Sequence, residues 1–177
     1  MAEEIKSRGM SSYQEGRYET AVAAFTEARR VLQQMGDQHG EAEMLSNLGV
    51  AHQQMGQMEK AQQAFEESLN LFTSLGEMEG QAVAFGNLGN LLIHQGDFER
   101  AAGYLERAVD IFGEMGKPER AVGTWQLLAR TYLRLGRWLE AIAAYDRDMS
   151  YATQLTASKR VLHSLIGIML RVMGIPR

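Results

Sequence analysis

The chain has 177 residues and no cysteine, which excludes disulfide frameworks, thiolate metal sites and cysteine nucleophiles. Its net charge is −4, 45% of its residues are hydrophobic and only two are proline, and the abundance of Ala, Leu, Met, Glu and Gln favours helix over sheet. The first residues show no apolar stretch after a basic start, and no apolar run approaches the ~18 residues of a membrane span. We therefore expect a cytoplasmic chain.

An internal repeat of 40 residues organises the sequence. Five series of small, aromatic or aliphatic residues recur at this spacing, and a fixed period in this range is typical of a solenoid. The series are Gly16, Gly56, Gly96 and Gly136; Ala21, Ala61, Ala101 and Ala141; Phe25, Phe65, Leu105 and Tyr145; Gly9, Gly49, Gly89 and Ala129; and Ile5, Leu45, Phe85 and Trp125.

Each repeat is predicted to contain two helices. Residues 81–95 and 98–116 both carry apolar side chains at helical spacing, and a glycine follows or ends each of them. Gly49 allows two helices to approach closely, and the aromatic ring of Phe65 is expected to fill the space toward the next repeat. One helix pair cannot bury its apolar faces alone, so neighbouring pairs must stack. The predicted pairs span residues 1–38, 39–78, 79–118 and 119–156.

Residues 47–69 and 87–109 resemble tetratricopeptide repeats. The matching features are Leu-Gly in the first helix, Gly before the second, and Ala followed four residues later by an aromatic residue or Leu; Trp125 lies where the family prefers tryptophan. The resemblance implies an all-α, right-handed superhelix of four helix pairs plus a C-terminal single helix. The repeat is longer than the common one of about 34 residues. In this it resembles kinesin light chains, Pins-type adaptors and bacterial peptide-pheromone receptors, which bind peptides or proteins.

A final helix is predicted over residues 157–175, because residues 164–174 align with residues 46–56 of the second repeat. It is apolar on every side, and an uncovered apolar face usually marks an interface. Its partner could be the same helix of a second copy in a homodimer, a different protein, a membrane surface, or further residues of a longer chain. The predicted docking residues are Leu162, Leu165, Ile168, Met169, Val172 and Met173.

The first helices of tetratricopeptide arrays line a concave groove, and the resemblance places a partner-binding site there. The groove residues implied are Met10, Tyr13, Gln14, Asn47, Gln54, Asn87, Asn90, His94, Arg130 and Arg134. Amide side chains both donate to and accept from a peptide backbone, and arginines one turn apart suit carboxylates. Alternatively, Asn47 and Asn87 satisfy neighbouring helices and the arginines are simply solvated.

One variant of the family clamps the C-terminal carboxylate of chaperones, but its residue set is incomplete here. Lys6 and Asn47 match two of its positions, whereas Met10 replaces an asparagine, and Val83 and Asn87 stand where lysine and arginine are expected. Chaperone-tail binding is therefore not expected.

Catalytic, metal and nucleic-acid sites are not expected, and neither is a cofactor. The four histidines are scattered without ligand spacing, and His52 is expected between helices. No glycine-rich loop follows a strand to cradle phosphate. Trp138 opens a second helix, where Tyr18, Met58 and Phe98 stand in the other repeats, so a packing role is expected rather than base stacking.

Charge divides unevenly along the chain. Residues 1–117 carry 18 acidic and nine basic side chains, whereas residues 118–177 carry four acidic and nine basic. This division reflects either solvated helix faces that happen to differ or a polarised surface that orients a partner or a second copy. The sequence predicts a non-catalytic scaffold or adaptor that binds a peptide or helix. The alternatives are a peptide-responsive sensor and an assembly factor for a membrane-associated complex.

Overall fold

A computed structural model describes residues 1–151 and 157–172. Helices occupy most of these residues, and no strand occurs among them, so the predicted all-α class is confirmed. The elements are α1 (Ala2–Gln14), α2 (Tyr18–Met35), α3 (Gln38–Gln54), α4 (Met58–Leu75), α5 (Met78–Gln95), α6 (Phe98–Glu114), a 3₁₀ turn (Pro118–Ala121), α7 (Val122–Arg134), α8 (Trp138–Tyr151) and α9 (Ala157–Val172).

Short turns built on left-handed glycines separate the helices. Seven glycines, spaced 20 residues apart from Gly16 to Gly136, have φ between 68° and 82°, a region that side chains other than glycine rarely occupy. The carboxylate of Asp37 then accepts a hydrogen bond from the backbone N–H of Gly40 over 2.9 Å and caps α3. Helices of regular length therefore alternate with turns that repeat one conformation.

The chain divides into two compact units, Met1–Leu91 and Leu92–Arg177. In the first unit, α2 packs on both α1 and α3, and α3 packs on α4. The rings of Phe25 and Phe65 are almost fully buried and lie directly against Gly9 and Gly49, where a Cβ atom would collide with them. The ring of Phe65 thus lies on Gly49 of its own helix pair, whereas the repeat pattern predicted that it points toward the next pair.

In the second unit, α7 packs on α6 and α8, and α9 packs on α8. Leu105 and Leu128 are almost fully buried. Asp146 of α8 is only 1% exposed, and its carboxylate lies 3.3 Å from Nε2 of His163 on α9. The Ser150 hydroxyl lies 3.0 Å from the same nitrogen, so the contact between α8 and α9 has a polar centre.

Candidate functional site

In the first unit, the first helices of the predicted pairs lie side by side. The ammonium group of Lys6 on α1 donates a hydrogen bond to Glu43 of α3 over 2.7 Å. His39 of α3 contacts the carboxylate of Glu77, the residue before α5, over 2.6 Å. Ion pairs therefore tie α1 to α3 and α3 to the start of α5, which brings these helices into one layer.

These ion pairs also change the protonation of two of their members. The hydrogen bond to Glu43 raises the pKa of Lys6, and the hydrogen bond to Glu77 raises the pKa of His39. The Lys6 ammonium is consequently charged and already paired. This pairing adds a second reason, beyond the incomplete residue set, to expect no carboxylate clamp at Lys6.

Seven of the ten predicted groove residues belong to this unit: Met10, Tyr13, Gln14, Asn47, Gln54, Asn87 and Asn90. The structure brings two of them near each other, because the side-chain amide of Gln54 on α3 lies close enough to the Tyr13 hydroxyl on α1 to lower its pKa. Burial raises the pKa of Tyr13, so this hydroxyl stays neutral and polar at physiological pH. Met10 exposes 38% of its surface on the same helix.

Three asparagines of α3 and α5 keep their hydrogen-bonding capacity. Asn47, Asn87 and Asn90 are half-buried, and within residues 1–151 and 157–172 none of their side-chain amides bonds another group. The described residues thus offer no support for the alternative that Asn47 and Asn87 serve neighbouring helices. Each amide has donors and an acceptor available to a ligand.

The other three predicted groove residues, His94, Arg130 and Arg134, belong to the second unit and are exposed. Arg134 lies over the ring of Phe98, 5.9 Å from its centroid, whereas Arg130 makes no ion pair with any residue that the structure describes. Leu133, between them in sequence, exposes 45% of its surface. That all ten residues form one groove stays a prediction.

The expected packing role of Trp138 is wrong. This residue is 65% exposed at the start of α8, whereas Tyr18, Met58 and Phe98 are half-buried at the equivalent starts of their helices. Arg134 from the following first helix lies over Phe98. Trp138 begins the second helix of the fourth pair, and its neighbour Leu139 exposes 45% of its surface.

The outward face of α9 carries an apolar row. Val161, Leu165 and Ile168 expose 61%, 59% and 60% of their surfaces, and their spacing of four and three residues places them on one side of the helix. Gly167, on the opposite side, is buried. Of the six predicted docking residues, Leu165 and Ile168 belong to this row. Met173 and the side chains of Leu162, Met169 and Val172 lie outside what the structure describes.

The histidines and acidic residues are the candidate metal ligands in the described part of the chain. No group of three or more His, Asp or Glu side chains there could hold a metal ion. His52 is half-buried and its Nδ1 hydrogen-bonds the Gln57 side chain over 2.8 Å, in agreement with the expected place between helices. No helix in the described ranges is long and apolar enough to cross a membrane.

The sequence profile of the tetratricopeptide repeat matches three overlapping segments, residues 4–74, 40–114 and 80–150. Comparison with curated protein sequences finds no match.

Solved structures with the same fold include BtubC (BKLC) from P. vanneervenii, at 22% identity and a TM-score of 0.75 over 88% of this chain and 68% of that one. A Rap protein complexed with competence and sporulation factor gives 22% identity and a TM-score of 0.79, over 85% of this chain and 42% of the other. The TPR domain of FLU from Arabidopsis gives 23% identity and a TM-score of 0.60, over 64% of this chain and 95% of that domain.

The repeat with its period, the paired helices and the three profile matches agree, and the predicted resemblance is confirmed. This chain belongs to the tetratricopeptide repeat family, whose fold generally serves protein–protein interaction rather than catalysis.

Proposed function

We propose that this protein is a non-catalytic adaptor that binds a peptide or a partner helix along the first helices of its repeats. The observation that carries the proposal is the set of side-chain amides at Asn47, Asn87 and Asn90, which hydrogen-bond no other residue in the described part of the chain, on helices held in one layer by ion pairs. A peptide backbone presents the matching carbonyl and N–H groups. The exposed side chain of Met10 adds an adaptable apolar surface on the same layer.

The comparisons support a ligand of this kind. The Rap protein with which this chain shares its fold was solved in complex with competence and sporulation factor. This chain spans less than half of that protein. We therefore extend only the class of partner, a peptide or protein segment, and not the identity of any ligand.

Binding is tested by selecting ligands from a displayed library of random peptides against the whole protein. Peptides that bind the wild type are then measured by calorimetry against the triple variant Asn47→Ala, Asn87→Ala, Asn90→Ala. We expect affinity to fall by about tenfold or more, because each lost amide removes about 0.5–1.5 kcal/mol of hydrogen bonding.

The matched control is Asn70→Ala, which removes an exposed asparagine from α4, a second helix. It should bind as tightly as the wild type. Peptides that bind the triple variant and the wild type equally well would place the site elsewhere and overturn the proposal.

We further propose that α9 mediates self-association through Val161, Leu165 and Ile168. These side chains form a single exposed apolar row, and a two-fold pairing of α9 with α9 of a second copy would cover both rows at once. Covering apolar surface contributes about 25 cal/mol per Å² removed from water.

The test is light scattering on a sizing column over a range of protein concentrations. We expect the mass to rise toward twice the monomer value of 19.8 kDa, and the double variant Leu165→Glu, Ile168→Glu to remain a monomer. Met35→Glu, at a 70% exposed position ending α2, is the control and should dimerise normally. A wild type that stays monomeric at every concentration excludes this role.

A further inference from the structure

The second unit contains a polar pocket outside the first-helix surface proposed above. Its volume is about 520 Å³, within the range of small-ligand sites. The C-terminal half of α6, the 3₁₀ turn, the start of α7 and the C-terminal half of α8 form its walls. Val109, Gly113 and Pro118 provide apolar surface, and the charged or polar lining consists of Asp110, Glu114, Trp125, Asp146, Arg147 and Ser150.

Several of these polar groups lack a protein partner. Asp110 and Glu114 stand one turn apart on α6, and neither carboxylate makes an ion pair with any residue in the described ranges. Trp125 is 9% exposed, and its indole N–H is buried without a hydrogen-bond acceptor there. A buried donor without an acceptor costs about 1–3 kcal/mol, so a ligand acceptor that reached it would be favoured.

The charge of the lining indicates the ligand. Three carboxylates, from Asp110, Glu114 and Asp146, face one cation, Arg147. Arg147 already lies over the Trp125 ring, 4.9 Å from its centroid, and Asp146 already contacts His163. Among the residues that the structure describes, Asp110 and Glu114 therefore remain a pair of carboxylates without a paired cation at the pocket wall.

The absence of a side chain at Gly113 leaves free space in the pocket wall. Gly113 lies inside α6, and a Cβ atom built there would meet nothing within 4 Å. The equivalent residue 80 positions earlier is Gln33, whose side chain hydrogen-bonds Glu41 in the first unit. The equivalent seam of the first unit, lined by Arg29, Leu45 and Glu67, holds a smaller cavity of about 300 Å³. The larger volume and the acidic lining therefore distinguish the pocket of the second unit.

We propose that this pocket binds a basic side chain, lysine or arginine, of a peptide segment. Asp110 and Glu114 pair with the cation, Val109 and Pro118 contact its methylene stem, and the indole N–H of Trp125 donates to a carbonyl of the peptide. This site would act independently of the amide surface on α3 and α5 and would recognise a differently charged part of a partner.

The indole N–H signals test the proposal directly, because the chain has only two tryptophans. In a ¹⁵N-labelled protein, the Trp138→Phe variant assigns the two signals. The probe is the blocked pentapeptide acetyl-Gly-Gly-Lys-Gly-Gly-amide, and the same peptide with glutamate at the centre is its counterpart. We expect the lysine peptide to move the Trp125 signal saturably while the Trp138 signal stays in place, and the glutamate peptide to move neither.

Two variants on α6 locate the site. Gly113→Gln fills the pocket at a position with free space and should abolish the shift, whereas Gly103→Gln, also unobstructed on α6 but outside the lining, should retain it. The double variant Asp110→Asn, Glu114→Gln should weaken binding about tenfold, because a hydrogen bond to a charged group contributes about 1.5–3 kcal/mol.

The proposal is overturned if the lysine peptide leaves the Trp125 signal unmoved, if both peptides shift it equally, or if Gly113→Gln responds as the wild type does. Each variant is checked by circular dichroism, so that a lost shift is accepted only from a folded protein. Since no library-selected peptide is used, this result is independent of the test of the amide surface.

Discussion

The seam between neighbouring helix pairs is lined by different side chains in the two units. In the first unit, Arg29 of α2 donates to Glu41 of α3 over 3.0 Å and to Glu67 of α4 over 3.2 Å. One guanidinium thus links the first two helix pairs, and the cavity that remains at this seam has a volume of about 300 Å³. Eighty residues later the corresponding positions are Val109, Ala121 and Arg147, and the seam holds the larger pocket of about 520 Å³.

The difference follows from a few side chains placed on one repeated backbone. Arg147 stands at the position equivalent to Glu67, so the charge there is reversed. Val109 stands at the position equivalent to Arg29, so the cation of the ion pair is absent. The guanidinium of Arg147 lies over the ring of Trp125 instead of pairing with a carboxylate in the described part of the chain. A helical repeat can therefore keep its fold while a seam changes from an ion-paired contact to a candidate binding site.

The largest expected effect comes from filling a close contact in the first unit. Gly49→Leu should lower the free energy of unfolding by about 3 kcal/mol, because any Cβ at this position collides with the buried ring of Phe65. Urea unfolding measures the change. Gly103→Leu, at an open position of α6, is the control and should unfold near the wild-type midpoint; equal midpoints for both variants would contradict the distinction between filled and open glycines.

The two arginines should differ in their contributions to stability. Arg29→Ala leaves Glu41, whose side chain is 14% exposed, without its cation and should cost about 1–2 kcal/mol. Arg147→Ala removes one cation–π contact and should cost no more than about 1 kcal/mol. Urea midpoints of the two variants decide the order, and a larger loss at Arg147 would mean that the second seam is also held by its arginine.

A gain in stability is expected at Gly113. Gly113→Ala should raise the free energy of unfolding by about 0.5–1 kcal/mol, because alanine restricts the unfolded chain and favours helix. Its Cβ meets no neighbour. Thermal unfolding should therefore shift upward, whereas Gly49→Ala should shift it downward. A fall at Gly113 would show that the pocket wall tolerates no added atom.

The smallest effect concerns pH. The hydrogen bond to Glu77 raises the pKa of His39 above 6.5, so the folded protein binds this proton more tightly than the unfolded chain. The resulting stabilisation is complete below the unfolded pKa of about 6.5 and is lost as pH rises through the higher folded value. Because His39 is 52% exposed, we expect a few tenths of a kcal/mol.

NMR titration of the histidine ring checks this prediction. Glu77→Gln should return the pKa of His39 toward its ordinary value and should remove most of the pH dependence that this pair adds. A His39 pKa at or below 6.5 in the wild type would contradict the assignment.

The sequence allowed the helical class and the family to be predicted because both depend on periodicity. Glycine, alanine and aromatic residues recur every 40 positions, so the same helix boundaries are indicated once in each repeat. Contacts between non-equivalent residues were harder to foresee. Lys6 pairs with Glu43 through helix packing, which no spacing along one helix indicates.

Two features of the candidate sites, the exposure of Trp138 and the pocket of the second unit, do not follow from the repeat pattern. Trp138 shares a register with half-buried residues, so periodicity predicted burial, but the structure leaves the side chain 65% exposed. The charge reversal between Glu67 and Arg147 was visible as a departure from the repeat. Departures of this kind, rather than the repeated positions, marked the pocket of the second unit.

The evenly spaced left-handed glycines have a consequence for how such a gene can change length. Since the same turn conformation recurs every 20 residues from Gly16 to Gly136, any 40-residue stretch within that range begins and ends at equivalent points of the backbone. Unequal recombination that removes or duplicates one such stretch would leave every later helix in phase with its turn. Arrays of different lengths are thus accessible in single genetic steps, without an intermediate that has to repair a broken connection.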